Sequence, residues 1–92
     1  MNKETFPLFD TVKLKLSNYS PDIARISFTD TQDNDVKIPD NVTLYDVTNQ
    51  VTVPPLADSF FVTWVSSYVL KQNEQSLVRI FNRKQFIVEK IE

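Results

Sequence analysis

Polar and apolar residues alternate along the first half of the chain with the period of two that marks half-buried strands. In Thr11 to Ser17, Val12, Leu14 and Leu16 fall on one side and Lys13 and Lys15 on the other. Asn18-Tyr-Ser-Pro-Asp reads as a turn, with Pro21 fixing one φ and Asn18 and Asp22 suited to capping backbone groups. Ile23 to Thr29 alternates again, setting Ala24, Ile26 and Phe28 against Ile23, Arg25, Ser27 and Thr29. Asp30 to Asp35 breaks the pattern and Val36-Lys-Ile-Pro resumes it, which predicts a hairpin with a loop of about five residues. After a turn at Pro39-Asp-Asn, Val42 to Asp46 and Gln50 to Val53 predict a second hairpin around Val47-Thr-Asn. Pro54 and Pro55 end it, because neither offers an N–H to a ladder. Short segments at such near-regular spacing favour a sandwich or barrel.

The second half is denser in apolar residues. Ser59 to Ile91 holds four of the seven Phe and the only Trp, so the rest of the chain is expected to pack against it. Phe60 to Leu70 fits two periods. As a strand it places Phe60, Val62, Trp64, Ser66, Tyr68 and Leu70 on one face. As a helix it places Phe60, Phe61, Trp64, Val65, Tyr68 and Val69 on one stripe, with Asp58 as a fair N-cap. Its aromatic, β-branched and Ser residues favour the strand. Leu77 to Phe81 and Gln85 to Ile91 flank Asn82-Arg83, which suits a tight hairpin turn. Residues 1–10 read as an N-terminal arm, where Pro7 argues against a helix, and residues 11–92 as a single β-rich domain. The expected fold is all-β, a small antiparallel β-sandwich or barrel of about seven or eight strands. The alternative is an α+β fold with a helix over residues 58–72 packed on the sheet.

Composition narrows the chemistry. The 92 residues include no Cys and no His, which removes disulfides, thiolate ligands and the commonest general base. Glycine is absent too, so Gly-rich phosphate loops are excluded and turns are expected to use Asn, Asp, Pro or geometries without positive φ. The first ten residues lack an apolar signal region, and no stretch is apolar and long enough to span a membrane as a helix. The expected location is cytoplasmic or within a virion, and the sequons at Asn18 and Asn41 are then chance matches. Residues 1–70 carry nine acidic and five basic side chains, and residues 71–92 three acidic and five basic. Neither imbalance by itself implies nucleic acid.

Three constellations are candidates for function. Asp30, Asp33 and Asp35 have a faintly calcium-like spacing, but the loop lacks the Gly and terminal Glu of such sites and fits a self-capped hairpin loop better. As an acidic binding loop it would suit a monomeric inhibitor or adaptor that blocks a host enzyme, for example a defence nuclease. Arg79, Arg83, Lys84 and Lys90 offer a basic patch with aromatic neighbours, suited to single-stranded nucleic acid on a β-barrel. Their simpler reading is a charged edge hairpin that resists edge-to-edge pairing, and nucleic acid is the weaker expectation. The apolar set is Phe6, Leu8 and Phe9 in the arm with Phe61, Val65 and Val69, which a strand apolar on both faces would bury against a partner. No cofactor, metal or enzymatic activity is expected. The leading expectation is a protein–protein interaction domain, such as a phage or viral structural or assembly protein, whose partner includes a second copy of itself.

Overall fold

Strand alternation becomes two packed antiparallel sheets in a computed structural model, which describes residues 5–8, 11–81 and 87–91. The strands are β1 (Thr5–Pro7), β2 (Lys13–Ser20), β3 (Ile23–Thr29), β4 (Asp35–Val36) and β5 (Val42–Asp46). They continue as β6 (Val51–Val53), β7 (Phe60–Thr63), β8 (Tyr68–Gln72), β9 (Gln75–Phe81) and β10 (Ile87–Lys90). The first sheet runs β1-β2-β3, and the far edge of β3 is shared by β4 and β7. The second runs β10-β9-β8-β5-β6. This is the all-β sandwich the alternation predicts. The described residues form ten strands instead of seven or eight because β1 in the arm is an additional strand and the Phe60–Leu70 stretch divides in two.

Register explains which side chains are buried, since paired residues of antiparallel strands point to the same face. In the first sheet Phe6, Leu14, Phe28 and Val36 form one row, and Leu16, Ile26 and Phe60 the next. The second sheet answers with Leu44, Leu70 and Val78 in one row and Tyr68 and Ile80 in another. Leu14, Ile26, Phe28, Leu44, Phe60, Leu70, Val78 and Ile80 are fully buried together in one core. Leu8 joins them, and Phe6 packs on the margin. The described part of the arm is thus an edge strand of the first sheet followed by a core residue.

The Phe60–Leu70 stretch is neither one strand nor a helix. The chain leaves the first sheet after Thr63, turns at Trp64-Val65, and enters the second sheet at Tyr68. The helix proposed over residues 58–72 is therefore corrected to two strands in different sheets. The Tyr68 side chain, buried in the second sheet, holds the crossing: its hydroxyl accepts the Thr63 N–H at 3.0 Å. The turn read at residues 18–22 also shrinks. Asn18 to Ser20 continue β2 through a bulge, leaving only Pro21-Asp22 as the connection. A β-strand's ladder is backbone chemistry, so polar side chains at a sheet end do not stop it. The five-residue loop between β3 and β4 and the β5–β6 hairpin lie where the sequence places them. The Asn82-Arg83 turn lies outside the described residues.

Without glycine, the turns do use positive φ. Asp33, Asn41 and Asn73 adopt it, as Asx residues can, but so do Gln50, Ala57 and Glu74. The expectation that turns would rely on Asn, Asp, Pro or negative φ alone is corrected at these three positions.

Candidate functional site

Three connections meet at one pole of the sandwich: the β2–β3 turn, the β5–β6 loop and the β7–β8 crossing. Backbone bonds tie them. The Trp64 N–H donates to the Asp22 carbonyl at 3.3 Å, and the Val47 N–H to the Ser67 carbonyl at 2.9 Å. Side chains reinforce them. The Ser67 N–H donates to Thr48 Oγ1 at 3.0 Å, and Asn49 Nδ2 donates to Ser66 Oγ at 3.3 Å. The buried Asp46 carboxylate accepts from the Asn49 N–H and Nδ2 at 2.9 and 2.8 Å. Much of the polar capacity of these loops is thus met internally, which frees their apolar side chains to face outward without leaving those groups unpaired.

Those apolar side chains form the most unusual surface of the molecule. Val65 is 82% exposed at the tip, with Val47 and Val51 exposed on the adjoining loop and strand. Tyr19 flanks the pole on the first sheet, 65% exposed, its ring centroid 4.6 Å from that of Phe61. Phe81 and Ile87, a cross-strand pair at the pole end of β9 and β10, flank it on the second. Of the seven exposed large hydrophobics among the described residues, only Leu56 lies elsewhere. Single exposed apolar side chains are ordinary, but their gathering at one end is not.

The opposite pole is polar. It carries the Asp30–Asp35 loop, the Pro39–Asn41 segment and the Asn73-Glu74 turn, the last two joined by an Asn73 N–H to Asn41 carbonyl bond of 3.2 Å. Asp30 caps its own loop, its Oδ1 accepting the Gln32 and Asn34 N–H groups at 2.8 and 2.9 Å. The Asn34 N–H bond, above all, holds the Asp30 carboxyl below the usual aspartate range. The ionised form is the one the folded loop prefers. This stabilisation is present above the usual range and disappears as the pH falls through the lowered folded value. Carbon-detected NMR titration is expected to place the Asp30 midpoint below that of an unfolded aspartate. A midpoint at or above it would mean the capping bonds are absent in solution.

The sequence candidates separate in space. Leu8 is buried and Phe6 half-buried against the domain's own core, while Phe9 lies outside the described residues. Phe61 lies on the outer face of the first sheet and Val69 on that of the second, both half-buried, so Phe61, Val65 and Val69 do not share one surface. Their grouping as one face of a single strand is corrected by the crossing at Trp64–Ser67. Asp33 and Asp35 are exposed, with Asp33 3.4 Å from Lys13 Nζ. Arg79 pairs with Glu89 and sits 5.8 Å from the Phe81 ring, whereas Lys90 pairs with Val78 on the other face. The two described members of the basic set therefore diverge, and Arg83 and Lys84 lie outside the described residues. Among the described residues no group of three or more acidic or other ligating side chains is placed to hold a metal ion, and no helix is long and apolar enough to cross a membrane. Val47, Val51 and Ile87 escaped the sequence reading, because each looks like an ordinary turn or strand residue until the register puts them at one end. Comparison with protein-family models, curated proteins and solved structures finds no match to this chain.

Proposed function

We propose that this chain is a non-enzymatic protein–protein interaction domain, a small structural or assembly component that self-associates through its apolar pole. The observation that carries the reading is the clustering of Tyr19, Val47, Val51, Val65, Phe81 and Ile87 around loops bonded largely to one another. Burying such side chains is worth about 1.5–3 kcal/mol each when complete, and a preformed platform lowers the ordering cost of association. Aromatic residues at the margin suit an interface.

Val65→Asp is the variant that tests this. Val65 is 82% exposed, so its replacement is expected to change folding stability by about 0.5 kcal/mol or less. Light scattering on a sizing column should show a discrete oligomer for the full chain and a monomer for Val65→Asp with an unchanged melting temperature. Deleting residues 1–10 is a poorer test, because it removes an edge strand and the buried Leu8 and so threatens folding itself. A full chain that stays monomeric at high concentration overturns self-assembly. It would favour the adaptor reading, for which the exposed Asp33 and Asp35 on a pre-shaped loop are the supporting feature.

A further inference from the structure

At the polar pole, the outer face of the second sheet holds a depression of about 430 Å³, within the roughly 300–1,000 Å³ span of small-molecule sites. Its floor comes from three adjacent strands. Tyr45 on β5 pairs with Thr52 on β6, and Thr43 on β5 pairs with Lys71 on β8. The Asn73-Glu74 turn forms the rim, with both residues at positive φ. The lining combines polar side-chain ends with the apolar surfaces of the Tyr45 ring and the Lys71 stem. None of the lining polar side chains hydrogen-bonds to another group among the described residues. Lys71 makes one specific contact, its Nζ lying 5.1 Å from the Tyr45 ring centroid, and the Glu74 carboxylate has no ion pair there.

We propose that this depression binds a neutral pyranose sugar, either free or at the end of a glycan. The ligand that matches it must be dense in hydroxyls, carry little charge and present one flat C–H face. A hydrocarbon ligand would leave the lining hydroxyl, amide and charged groups without partners, and a strong anion would meet Glu74 beside a single cation. A pyranose uses both halves of the site. Its hydroxyls exchange water for the Thr43 and Thr52 hydroxyls, the Asn73 amide, Lys71 and Glu74. Its C–H face lies on the electron-rich face of Tyr45, where the Lys71 ammonium now sits and from which its long stem swings aside. This site lies away from the apolar pole and does not depend on the reading given above.

The test is a titration of the full chain followed by ¹H–¹⁵N correlation spectra. The probes are glucose, galactose, mannose and N-acetylglucosamine with their methyl glycosides, to about 50 mM, enough to saturate a millimolar site. At least one should give saturable shifts centred on Thr43, Tyr45, Thr52, Lys71 and Asn73. Binding of the methyl glycoside marks a glycan end as an acceptable source, and binding of the free sugar alone marks a free ligand. Tyr45→Ala should weaken binding by about tenfold or more, and Tyr45→Phe, which keeps the ring, by less than about threefold. Thr52→Val on the exposed edge strand keeps the shape and removes a hydroxyl, so its weaker binding tests the site even if Tyr45→Ala fails to fold. No saturable shift with any probe overturns the proposal. So does binding that Tyr45→Ala, when folded, and Thr52→Val leave unchanged.

Discussion

Phe28→Ala is expected to destabilise the domain by about 3–5 kcal/mol, seen in urea unfolding as a lower midpoint at an unchanged slope. Phe28 has no exposed surface. It stands in the middle of the row Phe6, Leu14, Phe28 and Val36, with strands on both sides and the second sheet's inner face across from it. Little of that surrounding can collapse inward, because three strands and a second sheet hold it, so most of the lost volume remains as a cavity. For 92 residues the whole folding free energy is on the order of 5–14 kcal/mol. The substitution therefore removes a large share of it, and at the lower end of that range the domain would not stay folded. Phe61→Ala gives the contrast. Phe61 points away from the core and rests on Tyr19, so its loss should cost about 1–2 kcal/mol. If Phe61→Ala proved the more damaging of the two, the facing of the first sheet would be the reverse of that described.

That facing was legible in the sequence where a strand stays in one sheet. Ala24, Ile26 and Phe28 are buried on one face of β3, as are Leu14 and Leu16 on β2 among the half-buried Lys13, Lys15 and Ser17. The loop after Thr29 was legible because polar residues interrupt two alternating runs. Phe60 to Leu70 was not, for a physical reason. Side-chain parity is a property of one strand, and a four-residue crossing resets it. Phe60 and Val62 face the core from one sheet, Tyr68 and Leu70 from the other, and Trp64 to Ser67 belong to neither ladder. Read as one strand, this stretch gave the impression of a single strand apolar on both faces. The apolar pole was hidden for a related reason. Val47, Val65 and Phe81 lie in three separate connections or strand ends, and tertiary bonds such as Val47–Ser67 and the β8–β9 register bring them together. The depression around Tyr45 has the same origin, drawing on β5, β6 and β8 with no local motif to announce it.

Replacing Ala57 and Glu74 together by glycine is expected to raise stability by about 1–2 kcal/mol, an unusual direction for any double substitution. Leu56 and Ser59 exchange both backbone hydrogen bonds, at 2.7 and 3.2 Å, so Ala57-Asp58 is a two-residue turn. Only Ala57 has positive φ there, 58°, the sign pattern of a type II′ turn that favours glycine first. Between Gln72 and Gln75 both Asn73 and Glu74 are positive, at 51° and 70°, the pattern of a type I′ turn. Asn tolerates that region, whereas Ala and Glu each set a Cβ against a carbonyl at about 1–2 kcal/mol. Glycine removes this strain but adds about 0.5–1 kcal/mol of unfolded-state entropy to be lost on folding. The difference leaves about 0.5–1 kcal/mol per site, and the two turns are separate enough in the chain for the gains to add. Ser76→Gly on β9, where φ is not positive, has only the entropy term and should lose about 0.5–1 kcal/mol. Thermal and urea unfolding of Ala57→Gly and Glu74→Gly, singly and together, and of Ser76→Gly reads the sign directly. Gain at both turns with loss at Ser76 means that the turns carry strain which the absence of glycine imposes. Loss in all three would mean that Ala57 and Glu74 are unstrained in solution, and that these turns adopt negative φ.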